Sequence, residues 1–318
     1  MAGDTRGYRR RVLNSRPRAV EPFVHLEEDI DQVEHILSIN NQLGEGPLWN
    51  SDEQALYWVD IFEGCFYRLY TSTGEYQAIK VGLPIGVLAF RASGGLVMAT
   101  KRGFAFWEPH NHSLHHIADP ESGNPDSRFN DGAVDRQGRF WAGTMVDNDG
   151  PVGSLYRLDP DRSVHKMETG VTISNGIGWS PDNKTMYYTD SPLYVIYAYD
   201  FDAATGCIAN RRPFIRTPEG EGIPDGLTVD SQDFIWSARW GGWKVSCYNP
   251  AGKLEREVEV PVQNPSSCTF GGKDLDELYI TTAWLGLNDA QQREQPWAGD
   301  LFRLQPGIKG LETPRYAG

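Results

Sequence analysis

One short apolar motif recurs along the chain: Leu56-Tyr-Trp-Val-Asp60, Leu96-Val-Met-Ala-Thr100, Phe140-Trp-Ala-Gly-Thr144, Met186-Tyr-Tyr-Thr-Asp190, Ile235-Trp-Ser-Ala-Arg239 and Leu278-Tyr-Ile-Thr-Thr282. Each copy is rich in β-branched and aromatic residues, which suit strands. Each follows a polar or glycine-bearing turn such as Asn50-Ser-Asp-Glu-Gln54, Ala92-Ser-Gly-Gly95 or Ser180-Pro-Asp-Asn-Lys184. The copies start 40, 44, 46, 49 and 43 residues apart, and no long helical periodicity intervenes. Six such units are the pattern of a propeller with four-stranded blades. The predicted fold is therefore all-β, a six-bladed β-propeller. A β-sandwich with irregular turns leaves the repeat unexplained.

The segment before each motif repeats too: Gly44-Glu-Gly-Pro47, Pro84-Ile-Gly-Val87, Asn130-Asp-Gly-Ala133, Ser174-Asn-Gly-Ile177, Pro224-Asp-Gly-Leu227 and Ser266-Ser-Cys-Thr269. Aligned on the residue before the Gly or Cys, they give Glu45, Ile85, Asp131, Asn175, Asp225 and Ser267. In a propeller the innermost strands line the central channel, so these positions predict a ring about the axis. The glycines allow tight backbone packing there. Carboxylates crowded into a narrow channel repel one another unless a cation sits among them. Glu45, Asn175 and Asp225, with Asn130 and Asp131 beside them, offer oxygen donors only. That set suits Ca²⁺, Mg²⁺ or Mn²⁺, and Zn²⁺ also accepts carboxylates. The competing reading is that Asp and Asn before Gly are turn formers.

Composition narrows the function. The 318 residues carry 43 acidic and 30 basic side chains, net −13, and 39% are hydrophobic. The apolar content is enough for a sizeable core and excludes disorder as the main state. The acidic balance argues against nucleic acid as a partner. No run of about 18 apolar residues is present, so no membrane-spanning helix is expected. Residues 1–20 invert the charge, with six arginines against Asp4. Arg9-Arg10-Arg11 has the look of a twin-arginine signal, but no apolar stretch follows it. Residues 1–36 read as an N-terminal extension and 37–318 as the propeller. The four cysteines, Cys65, Cys207, Cys247 and Cys268, are scattered without a CxxC pair. That fits a reducing, cytoplasmic setting, with export kept as the lesser alternative. The oligomeric state is left open.

Gly44-Glu-Gly-Pro-Leu-Trp49, Arg128-Phe-Asn-Asp-Gly132, Gly143-Thr-Met145, Ser174-Asn-Gly-Ile177, Pro224-Asp-Gly-Leu227 and the closing Gly299-Asp-Leu-Phe-Arg-Leu304 together resemble the gluconolactonase / regucalcin (senescence marker protein) family. The resemblance spans roughly residues 37–318. It implies a propeller holding one divalent ion and hydrolysing a sugar-acid lactone. By it, Glu45, Asn175 and Asp225 match the metal-binding residues, and Arg128 and Asn130 the substrate-side pair. A substrate-contacting carboxylate three residues after Gly-Thr-Met in some members is here Asn148, between Asp147 and Asp149. That departure leaves the substrate's identity open.

The expected activity is thus metal-dependent hydrolysis of an aldonolactone, with Asp225 as candidate general base. Two other readings stand beside it: a calcium-binding regulatory or scaffold propeller without turnover, and a phosphotriesterase-type hydrolase. No Gly-x-Ser-x-Gly occurs. His110, His112, His115 and His116 read as an exposed hairpin more readily than as a zinc site. Trp240 and Trp243 are candidates to wall the channel mouth. A strand near His35–Asn40 is predicted to pair with the strand at Asp300–Leu304 in one mixed blade and so remove an open edge.

Overall fold

The computed structural model of the chain describes residues 32–146 and 150–318. The Arg9–Arg11 run and Asn148, with Asp147 and Asp149, lie outside the described residues.

The first strand, β1, is Glu34–Leu37. Blade one follows as β2 (Gly44–Asn50), β3 (Ala55–Asp60), β4 (Cys65–Tyr70) and β5 (Glu75–Lys80). Blade two is β6 (Ile85–Phe90), β7 (Leu96–Thr100), β8 (Gly103–Glu108) and β9 (Ser113–Ala118). Blade three is β10 (Ser127–Val134), β11 (Phe140–Val146), β12 (Gly153–Leu158) and β13 (Val164–Val171). Blade four is β14 (Ser174–Trp179), β15 (Thr185–Asp190), β16 (Val195–Asp202) and β17 (Cys207–Arg216). Blade five is β18 (Ile223–Val229), β19 (Ile235–Trp240), β20 (Lys244–Tyr248) and β21 (Leu254–Glu259). Blade six contains β22 (Pro265–Gly271), β23 (Glu277–Thr282) and β24 (Leu301–Leu304), with β1 as its outermost strand. Each blade is a four-stranded antiparallel sheet, and the six innermost strands touch one another in a closed ring. The six-bladed β-propeller is therefore present as expected.

The repeated apolar motif is the second strand of every blade. In β3, β7 and β11 every residue is buried. A strand covered on both faces by neighbouring blades is apolar throughout rather than alternating, which is why the motif stands out. Outer strands differ: β5 is exposed along almost its whole length. The one α-helix among the described residues, α1 (Asp289–Glu294), was not evident from periodicity because it is under two turns long. Its start is fixed by a capping box between Asn288 and Gln291.

The ring closes as predicted, with a mixed blade. β1 runs antiparallel to β24, pairing Glu34 with Arg303, His35 with Phe302 and Leu37 with Leu301. Arg303 Nη2 donates to Glu34 Oε2 at 2.6 Å, and His35 Nε2 lies 2.8 Å from Asp300 Oδ2. The strand begins at Glu34, so it crosses the expected boundary at residue 36. The C-terminal segment then crosses the base of the propeller to reach blades two and three, where Tyr316 is fully buried and its backbone N–H donates to Phe90 O at 2.8 Å.

Candidate functional site

All six innermost strands carry a β-bulge at the aligned ring position. The register breaks at Glu45/Leu48, Ile85/Val87, Phe129/Gly132, Asn175/Ile177, Pro224/Leu227 and Pro265/Ser267. A bulge re-aims a side chain out of the alternating pleat, and bulges are frequent beside active sites. Here four of the six deliver a polar side chain to the channel.

Those side chains meet in a cavity of about 260 Å³ on the axis, bordered by Glu45, Arg128, Asn130, Asn175 and Asp225. The three predicted metal-ligand positions and both described substrate positions thus share one space. Asp131 departs from the aligned ring. It borders a second, smaller space of about 80 Å³ with Ser267, Thr313 and Pro314. The bulge between Phe129 and Gly132 sends neighbouring residues opposite ways, Asn130 to one cavity and Asp131 to the other. Ile85 is packed into the apolar core.

Hydrogen bonds fix the amides. Arg128 Nη1 donates to Asn130 Oδ1 at 2.6 Å, and Asn130 Nδ2 donates to Asn175 Oδ1 at 3.0 Å and Ser174 O at 2.8 Å. Asn130 is therefore not tied into an Asx turn with Gly132, whose N–H donates instead to Asp131 Oδ1 at 2.7 Å. Asn175 Nδ2 donates to Ser191 Oγ at 2.7 Å, and Ser191 in turn donates to Pro224 O at 2.7 Å. Ser191 escaped the sequence reading. Its only signal is its place directly after the repeated strand Met186–Asp190.

The carboxylates are electrostatically strained. Glu45 is pushed well above the usual carboxylate pKa, first by burial, then by the charges of Asp225 and Asp131. Asp225 is likewise well above its usual value, first from burial and then from Asp131. Burial alone lifts Asp131 to about 6. Arg128 and single backbone N–H groups, Gly46 to Glu45 and Gly226 to Asp225, offset this only in part. Buried acids in this state lack positive charge, so the donor set fits a hard cation. Among the described residues no group of three His, Cys, Asp or Glu is arranged to hold a metal; the candidate set is two carboxylates and an amide. No histidine borders the cavity.

Apolar side chains form the walls: Phe62, Met145, Ile223, Trp240 and Leu285. The Arg128 guanidinium lies over the Phe62 ring, 5.5 Å from its centroid. Of the two tryptophans expected to wall the channel mouth, Trp240 borders the cavity. Trp243 does not border the cavity and is 43% exposed. Among the described residues no helix is long and apolar enough to cross a membrane, and all four cysteines are free.

Residues 43–284 match the family model described as the SMP-30/Gluconolactonase/LRE-like region. The chain belongs to the SMP-30/gluconolactonase family. Regucalcin from Xenopus laevis is 38% identical to this family member over 295 residues, 90% of this chain and 99% of the relative. A solved luciferin-regenerating enzyme superposes with a TM-score of 0.85 at 32% identity, covering 90% of this chain and 99% of that one. A calcium-binding protein, regucalcin from Agrobacterium tumefaciens, gives a TM-score of 0.85 at 29% identity over 89% and 96% of the two chains. Membership of the SMP-30/gluconolactonase family accounts for the ordered motifs across the inner strands.

Proposed function

We propose that the protein hydrolyses a sugar-acid lactone to the open aldonic acid, with one divalent cation held by Glu45, Asn175 and Asp225. The observation that carries this reading is the meeting of two buried, pKa-raised carboxylates with Asn175, Asn130 and Arg128 in one axial cavity. A bound divalent cation there supplies Lewis-acid polarisation of the lactone carbonyl and stabilises the developing oxyanion, an effect worth several kcal/mol.

The chain's own groups do the rest. Asp225 accepts a proton from the attacking water as the water oxygen bonds to the carbonyl carbon. The ring C–O bond then breaks, and the proton passes from Asp225 to the leaving ring oxygen, so atoms and charge balance. Asp225, raised well above its usual pKa by burial and then by Asp131, would keep part of its basicity against the lowering that a neighbouring cation would bring. Arg128 presents a donor fork to the substrate's carbonyl or hydroxyl oxygens. Asn130, held by Ser174 O and Asn175, keeps Arg128 and the ligand amide in fixed relation.

Calcium binding without turnover is the second reading, favoured by the name of the Agrobacterium tumefaciens relative. One assay separates the two. Protein stripped with chelator is resupplied with Mg²⁺, Ca²⁺, Mn²⁺ or Zn²⁺, and proton release is followed on gluconolactone, xylonolactone and arabinonolactone. Metal-dependent release above the spontaneous rate is expected for at least one lactone. Calcium binding with no such release on any of them would replace hydrolysis by the binding reading.

A further inference from the structure

The axial cavity is polar at its bottom and apolar above. Six polar side chains border it: Glu45, Arg128, Asn130, Asn175, Ser191 and Asp225. All but Arg128 are buried, and hydrogen bonds run from Arg128 through Asn130 and Asn175 to Ser191. The other eight bordering residues are apolar. Six of these, Phe62, Ile173, Pro192, Ile223, Trp240 and Leu285, are half-buried or exposed, so they form the upper wall, toward solvent. Among the described residues that wall carries no polar side chain.

The apolar character continues onto the surface around the mouth. Phe62, Val152, Leu193, Trp243 and Trp297 are each 40–49% exposed. Each follows the second strand of its blade (β3, β11, β15, β19 or β23), in the connection to the third. Connections of this kind supply Phe62, Pro192 and Leu285 to the cavity, so they surround its opening. Among the described residues only two other large apolar side chains are as exposed, Tyr76 and Leu254, and both lie on outermost strands, β5 and β21. Single exposed apolar residues need no explanation, but five gathered about one opening do.

A lactone ring seated with its carbonyl on the floor directs its other substituents toward this wall. A hydroxyl there gives up water without gaining a partner, which is costly. An alkyl or aryl group in the same place gains by leaving water.

We propose that the upper wall is a subsite for an apolar substituent, and that the protein hydrolyses lactones carrying an alkyl or aryl group on the ring. The activity rests on the lactonase reading of the floor; the subsite rests on the wall alone. The bond changes are those already given. The water oxygen joins the carbonyl carbon, the ring C–O bond breaks and the ring oxygen takes the proton, leaving a hydroxy acid with its apolar group attached.

δ-Hexalactone, δ-octalactone and δ-decalactone share one reacting ester and differ only in carrying a methyl, propyl or pentyl group beside the ring oxygen. With metal resupplied, kcat/KM should rise tenfold or more from δ-hexalactone to δ-decalactone, since even one methylene fitted to an apolar pocket is worth about tenfold. Calorimetric titration of the metal-free protein should show the same order in affinity. Phe62→Ser and Leu285→Ser should each lower the δ-decalactone to δ-hexalactone ratio by roughly threefold or more, as expected for lost apolar burial. Phe62→Leu should restore it, which separates the wall from the ring's contact with Arg128. Tyr76→Ser, on β5, should leave the ratio as it is. Metal-dependent release on gluconolactone with no rise along the alkyl series overturns the proposal and leaves the lactonase reading standing. Release on no lactone at all removes the lactonase reading and the alkyl-lactone activity with it. Equal affinities along the series in metal-free protein, or a ratio unmoved in both Phe62→Ser and Leu285→Ser, overturn the subsite whatever the turnover.

Discussion

Asp225 shows how one side chain carries both electrostatic and chemical consequences. Its carboxylate is buried beside Glu45 and Asp131, and its backbone flanks a bulge at Pro224/Leu227. Asp225→Asn preserves shape and removes the proton acceptor, so turnover should fall by about 10²–10⁴-fold while the melting temperature of the metal-free protein holds or rises. A variant turning over at close to the wild-type rate would take Asp225 out of the base role. The same cluster sets a pH dependence. Glu45, Asp131 and Asp225 all have folded pKa values raised over the unfolded ones. The folded state therefore holds protons that the unfolded chain has released, and stability falls as pH rises. For Asp131 the window runs from its model-peptide value near 3.8 up to about 6; the other two extend the fall upward. A bound cation reverses this by favouring the ionised forms. Melting curves of chelated protein from pH 4.5 to 8, with and without Ca²⁺, should show a calcium-induced gap that widens with pH. A gap that stays constant would mean the carboxylates do not face the ion.

At the scale of the strand, the ring depends on glycines that bring neighbouring inner strands together. A Cβ on Gly176 would sit 2.7 Å from Leu227 N and 2.8 Å from Asp225 O, so it presses on the backbone of blade five beside a candidate ligand. Gly176→Ala should cost about 1–3 kcal/mol, as overpacking typically does, and loosen cation binding by moving β14 from β18. Gly123→Ala is the control, since a Cβ there meets nothing within 4 Å. Equal melting temperatures and calcium affinities for the two variants would show that the bulge tolerates the methyl. This packing also explains what was legible beforehand. The glycine after Asn175 and Asp225 recurs because close approach to the next inner strand recurs, while the one after Glu45, Gly46, sits at a left-handed φ of 51°, so those positions stood out at blade spacing. Asn130 and Asp131 were harder to tell apart, because a bulge of one residue decides which of two neighbours faces which cavity. Ser191 and the wall residue Phe62 follow second strands without any shared motif, and only the closed ring brings them to Asn175 and Arg128.

For the whole molecule, the decisive contact is the one that closes the ring. Blade six lacks an outer strand until β1 supplies it, and without β1 the edge of β24 is left unpaired. The link is reinforced on both sides. Asp300 Oδ1 accepts from the backbone N–H groups of Ile39 and Asn40 at 2.8 and 2.9 Å, and Asn41 N donates to Gly299 O at 2.8 Å. Asp60 then receives Gln42 N at 2.8 Å and leads the chain into β2, the strand that carries Glu45. Ile36, Leu37 and Ile39 pack against the cluster containing Trp49, Trp58 and Tyr279. Deleting residues 1–42 removes the strand, this apolar cover and the lead into the site together. Deleting residues 1–15 leaves all of these contacts in place. The shorter truncation should therefore melt with the full chain. The longer one should lose its cooperative transition or melt far lower, since each kcal/mol lost is worth about 2–4 °C in a domain of 150–250 residues, and somewhat less in a larger one. It should also lose calcium binding, because Glu45 is then held by a strand whose entry is untethered. Circular dichroism melting of both truncations decides the matter: if the chain lacking residues 1–42 kept the full-length transition, six blades would close without a shared strand.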